Sequence, residues 1–308
     1  MPPEQGFDEV GRIKTDAATA LMFDYGRLRF SARPAEQQAG GDLIRWAQDQ
    51  KAQAAALARS QPGAPFQHSD FAECLLDAPA AFILAWNEPL SPTISPAEFA
   101  SARDLVLSTL REVETGIKVE VQQRVAAAPT DLARRLAEQA AIDQGWMGML
   151  AYSRWSHDDN ELATAIYLRV VEVKKCDVER RNRALMSEIM DRVGWPTANA
   201  HGAEAASDAW LLVQHVDMDP AFQARALALL GAAVQRGEAD KRDYAYLFDR
   251  VALGGGRPQR FGTQFWCRDG RMQLKPVEAP ERLAQLRREY GLPEKMEYEL
   301  SEKKCKGW

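Results

Sequence analysis

The 308-residue chain is poor in the features that mark most chemistry: it has only four histidines and four cysteines. Cys74, Cys176, Cys267 and Cys305 lie far apart and form no CxxC or Cys/His spacing, which argues against a zinc site. A chain this long buries enough core to do without cross-links, so free thiols and the cytoplasm are expected. Basic residues are in the minority, and the formal charge of −5 speaks against general nucleic-acid binding. No apolar run approaches the roughly 18 residues that a membrane-spanning helix requires. The opening MPPEQGFDEV has neither a basic nor an apolar stretch, so no secretory signal is read from it. A mature exported form would look the same. GxSxG, HExxH, DxDxDG and the phosphate-binding GK[ST] are all missing. Self-similarity at the roughly 34- to 47-residue periods of helical repeats is missing too, which excludes a solenoid.

What is present is helix. With 46% hydrophobic and 27% charged residues the composition is that of an ordinary globular protein. Asp42 caps an expected helix to about Arg59, and two short helices are expected on either side of Pro79. Ser95-Pro96-Ala97-Glu98 is the best local signal in the chain: serine caps, proline takes the first turn, and Glu98 stands where it can reach back to the cap amide. A long helix to about Ala127 follows. Another starts at Thr130 or Asp131 and continues to about Trp155, and a third runs to Val193, with Cys176 a candidate kink and Gly194 and Pro196 the stop. Shorter helices are expected over Ala203–Val216, from Asp219-Pro220 to Gly237, over Asp240–Leu253 and over Pro280–Tyr290. Asp269-Gly270 suits a tight hairpin between RFGTQFWC and RMQLKPV. The expected fold is an irregular all-α array with one small C-terminal β-hairpin. Its expected division is a helical region of unassigned role at 1–130 and a helical domain with the hairpin at 131–308.

Each histidine can be weighed singly. His68, His157 and His201 read as surface or loop residues. His215 closes AWLLVQH near a helix C-terminus, with Leu211 and Leu212 one turn earlier, so it is partly buried and needs a partner for each ring nitrogen. Asp249-Arg250 lies in YAYLFDRVAL, apolar on nearly every face. Adjacent helical residues diverge by about 100°, so these two cannot simply satisfy each other. At least one points to another element or a ligand, or clamps the loop that follows. That loop, GGGRPQRFGTQF, combines glycine freedom with Gln259, Thr263 and Gln264, whose side chains orient or pin but do not titrate. Asp217 and Asp219 follow His215 and could place carboxylates near it, although Asp219 reads best as a helix cap.

A set of residues then points to a family. It begins with Asp143-Gln144, Asp177 with Asn182, and Gly194-Trp195-Pro196. It continues with Ala209 to His215, Phe222-Gln223, Tyr246-Leu247 with Asp249-Arg250-Val251, and Gly256-Arg257-Pro258-Gln259 with Phe261-Gly262-Thr263-Gln264. In order and spacing this segment, from about Asp143 to Tyr298, resembles the bacterial family of unknown function DUF6624. Phe261 stands where that pattern usually has tyrosine. The resemblance implies no activity, but its pattern includes the histidine, the Asp-Arg pair and both glutamines.

Two functions fit. One is a metal- and cofactor-independent acid/base enzyme, a hydrolase or an isomerase/epimerase, acting on a small molecule or peptide. In it His215 is the general acid/base, since an unperturbed pKa of about 6.5 suits proton transfer at neutral pH. Asp249 orients it or serves as the second acid/base group. Arg250 holds an anionic group, and Gln259, Thr263, Gln264, Gln214 and Trp210 bind substrate. The other is a non-catalytic helical binding or interaction module in which the same residues form a structural polar network. No nucleic-acid partner is expected, and the sequence does not indicate an oligomeric state.

Overall fold

The computed structural model describes residues 95–147, 160–217, 219–268 and 271–293. The helices expected between residues 42 and 86, the stretch from 148 to 155, the Asp269-Gly270 turn and the C-terminal tail lie outside these residues. By their contacts the described residues fall into two compact units, 95–147 with 160–184, and 185–293.

Among the described residues the first unit holds two helices and residues 161–184 of a third. Helix α1, Pro96–Ala127, begins as expected: the Ser95 hydroxyl accepts the Glu98 N–H at 3.2 Å, with Pro96 in the first turn. It buries Phe99, Ala102, Val106, Leu110, Val113 and Ile117, a stripe at three- and four-residue spacing. Helix α2, Asp131–Met147, is capped by Thr130, whose hydroxyl accepts the Ala133 N–H at 3.1 Å. It meets α1 so closely that a Cβ on Gly145 would lie 2.3 Å from Cγ1 of Ile117. Helix α3, Glu161–Val193, opens on Asn160, whose side chain accepts the Ala163 N–H at 2.9 Å. It runs unbroken past Cys176, the candidate kink.

Phe99, Trp146, Tyr167 and a run of branched residues on α1 and α3 make one core. Truncating an aromatic there to alanine costs about 3–5 kcal/mol. Within it a polar chain crosses from α2 to α3. Gln139 Nε2 donates to Asn182 Oδ1 at 2.7 Å, and Asn182 Nδ2 donates to Asp143 Oδ1 at 2.7 Å. Gln144 Nε2 donates to the other Asp143 oxygen at 2.9 Å. One expectation is corrected here: Cys176 is disulfide-bonded and not a free thiol. Chain length makes a cross-link unnecessary, but it does not prevent one where two thiols meet in suitable geometry.

In the second unit Gly194, at φ +74°, ends α3 in the left-handed region that glycine adopts freely. A four-residue helix α4, Ala198–His201, follows, so His201 sits on a helical turn and not in the expected loop. Helix α5 is Ala203–Gln214, which puts His215 at its C-cap, two residues before the expected end at Val216. Asp219 caps α6, Pro220–Gln235, by accepting the Phe222 N–H at 2.9 Å. Asp240 caps α7, Lys241–Gly254, by accepting the Arg242 N–H at 2.7 Å. Strands β1, Phe265–Arg268, and β2, Arg271–Leu274, pair antiparallel with Phe265 opposite Leu274. The single C-terminal helix expected from Pro280 is two pieces: a 3₁₀ turn Pro280–Arg282, then α8, Leu283–Glu289. Among the described residues the fold is all-α with one hairpin, as the sequence indicates. Among the described residues no helix is long and apolar enough to cross a membrane.

Candidate functional site

Helix α7 carries Asp249 and Arg250 to different neighbours, as their divergence around the helix requires. Asp249 is completely buried and reaches the loop that follows its own helix. Its Oδ1 accepts the N–H groups of Arg260 at 2.7 Å and Phe261 at 2.9 Å. Its Oδ2 accepts the N–H and the hydroxyl of Thr263, each at 2.9 Å, with a longer 3.2 Å contact to the Phe261 N–H. An ionised carboxylate has about four acceptor positions, and four donors fill them here. Burial pushes the Asp249 carboxyl above the ordinary range, and the donors from Phe261, Thr263 and Arg260 pull against that push. Among the described residues Asp249 makes no other bond, so it does not touch His215.

Gln259, also completely buried, fixes the same loop from inside. Its Nε2 donates to the carbonyls of Gln264 and Lys275, both at 2.9 Å. Its Oε1 accepts the Gln264 N–H at 2.9 Å. Its backbone joins the stretch after β2: the Gln259 N–H donates to Pro276 O at 2.9 Å, and the Glu278 N–H donates to Gln259 O at 2.7 Å. Gln264 Nε2 donates to the Thr263 hydroxyl at 3.3 Å, which closes the network.

A residue that sequence reasoning missed completes this clamp. Arg287 of α8 is 2% exposed. Its Nη1 donates to the carbonyls of Phe261 at 2.7 Å and Gly262 at 3.1 Å, and its Nε donates to Pro293 O at 2.7 Å. The loop is therefore held by a buried anion on its N–H groups and a buried cation on its carbonyls. Between them Gly262 sits at φ +66°, with the Leu283 side chain 3.2 Å from where a Cβ would lie, so both backbone and space favour glycine. Phe261, 1% exposed, packs against Tyr290 at 4.5 Å and edge-on to Phe248 at 5.6 Å.

Arg250 leads elsewhere. Its Nη1 pairs with Asp217 Oδ2 at 2.5 Å, in the turn after α5. The other Asp217 oxygen accepts Gln223 Nε2 at 3.2 Å, and that amide also reaches the carbonyls of Val213 at 3.3 Å and Gln214 at 3.2 Å. Gln223 thus closes the C-terminal end of α5 with a side chain from α6. His215, half-buried, stands at that C-cap. Trp210, one turn earlier than Gln214, donates its indole N–H to the Asp243 carbonyl at 2.9 Å and meets Tyr246 edge-on at 6.2 Å.

The expected site residues therefore form two groups. Asp249, Gln259, Thr263 and Gln264 make one hydrogen-bonded unit around the loop. Trp210 and Arg250 line the junction of α5 with α7, Gln214 stands one turn beyond Trp210 on α5, and His215 is at that helix's C-cap. Their setting is a helical domain in which the loop between α7 and β1 is locked by buried charges. Residues 130–305 match the model of a family described as Family of unknown function (DUF6624), and the chain belongs to that family. No curated protein and no solved structure matches the chain.

Proposed function

We propose that residues 131–308 form a binding module, in which Asp249, Gln259, Thr263 and Gln264 are one structural polar network that fixes the loop. The observation that carries this reading is the full occupancy of Asp249. A second acid/base group needs an oxygen that substrate or imidazole can reach, and both Asp249 oxygens are buried under loop donors. Gln259 is committed in the same way: both amide ends bond to backbone, so it supports the loop and does not bind ligand. In this reading His215 is a structural residue at the α5 terminus. Ligands are small molecules or peptides that meet the half-exposed polar side chains between α5 and α7. The cross-link at Cys176 supports an oxidising compartment over the cytoplasm expected from sequence.

The test is a thermal-shift screen of metabolites and short peptides on the full chain, followed by chemical analysis of each hit after long incubation. Hits that stabilise the protein and are recovered unchanged agree with a binding module. A hit converted by the wild type and left intact by His215→Ala overturns it in favour of acid/base catalysis.

A further inference from the structure

We infer that the seam between α5 and α7 is a carboxylate-binding subsite in which Arg250 takes the anion; this rests on the binding-module reading. The bond from Trp210 to Asp243 and the pair of Arg250 with Asp217 both join residues 33 positions apart. Helices α5 and α7 therefore run alongside each other in the same direction. On this seam Trp210 and Gln214 share one face of α5, and Tyr246 and Arg250 share one face of α7. Each pair is four residues, or about 6 Å, apart along its helix. The Trp210–Tyr246 contact thus forms an aromatic ledge one turn from the level of Arg250.

Arg250 is aimed without being used up. A guanidinium has five N–H donors. One arm pairs with Asp217, and the remaining donors have no partner among the described residues, with the side chain 27% exposed. The pairing is itself anchored, because Asp217 is held by Gln223, a side chain 4% exposed and tied to two α5 carbonyls. A planar fork held at one nitrogen keeps a free pair of N–H groups that a carboxylate can take in bidentate geometry, which a lysine cannot offer. The Gln214 amide and the Tyr246 hydroxyl also have no hydrogen-bond partner among the described residues; Tyr246 meets Trp210 across the seam, and Gln214 is one turn beyond Trp210 on the same face of α5. A carboxylate attached to an apolar or aromatic body fits these groups: the charge at Arg250, the body on Trp210 and Tyr246. Free acids and the C-terminus of a peptide share that chemistry.

The experiment is calorimetric titration of the full chain with N-acetylphenylalanine, its carboxamide, and a pentapeptide ending in phenylalanine. Both carboxylates are expected to bind, with the carboxamide weaker by about tenfold or more. Arg250→Gln loses the same factor. Arg250→Lys, which keeps the charge and the pair with Asp217, guards against a folding artefact and loses an intermediate factor. A tighter pentapeptide assigns the site to peptide termini, and equal affinity assigns it to small acids. The inference is overturned if the carboxamide binds as well as the acid, if Arg250→Gln binds like the wild type, or if nothing binds up to about 10 mM. Conversion of the probe instead would defeat the binding-module reading and leave the subsite standing.

Discussion

Replacing Asp249 by asparagine changes one side-chain atom and keeps the volume, so it isolates the clamp. The amide has one acceptor oxygen in place of two. Its better orientation keeps the oxygen on the Arg260 and Phe261 N–H groups, which bond at 2.7 and 2.9 Å. The new NH2 then faces the Thr263 N–H, and only the Thr263 hydroxyl can turn to accept from it. One buried N–H is left without an acceptor, at about 1–3 kcal/mol, and the remaining bonds lose the strength that an ionised acceptor gives them. Relief from burying a charge offsets part of this. The net cost is about 2–4 kcal/mol. For a domain of this size that lowers the melting temperature by roughly 4–16 °C. Circular dichroism melts of the wild type and Asp249→Asn measure it, with Asp249→Ala, which leaves all four donors without an acceptor, expected to fall further. A melting temperature within about 2 °C of the wild type would show that the clamp does not support the fold.

Arg287→Met keeps the stem of the side chain and removes the donors to Phe261, Gly262 and Pro293, so it is expected to cost about 3 kcal/mol in a urea titration. Gly145→Val places a branched side chain against Ile117, where a Cβ alone meets Cγ1 at 2.3 Å, and is expected to destabilise by about 1–3 kcal/mol by the same measurement. Asp243 has its carboxyl pushed up to about 6, first by burial and then by the Asp240 carboxylate, with Arg242 opposing. The folded state then holds this proton more tightly than the unfolded chain, so stability falls as pH rises from about 4 to about 6 and is level above. Asp243→Asn removes that cost. It should gain about 1 kcal/mol over the wild type at pH 7, allowing for solvent screening at a partly exposed group, and nothing below pH of about 4. A gain that persists in acid would mean that the effect is not the ionisation.

How much of this was legible in the sequence depended on where each residue finds its partner. The caps at Ser95 and Asp219 and the stop at Gly194 were readable because each acts within four residues of itself, on N–H groups or φ angles that any helix end has. The hairpin was readable from Asp269-Gly270 between strand-like runs. Asp249 announced itself as a charge in an apolar stretch, yet its partners are mostly main-chain N–H groups 11 to 14 residues further on, which carry no sequence signature. Arg287 was missed for the same reason, since it serves carbonyls and sits in an unremarkable LRRE turn. Pairing Asp249 with His215 was plausible from composition alone. The loop claimed the carboxylate because its three N–H groups needed an acceptor away from water. The Cys176 cross-link had no local signal at all, because a disulfide depends on geometry between distant segments.

Hydrogen–deuterium exchange at the amides of Arg260, Phe261 and Thr263 bears most directly on whether the loop is scaffold or working part. If Asp249 holds them as structure, all three exchange only through unfolding of the whole domain, as slowly as the buried amides of α7. Rapid exchange at these three positions, while α7 stays protected, would mark a loop that opens in the native protein and would contradict the account.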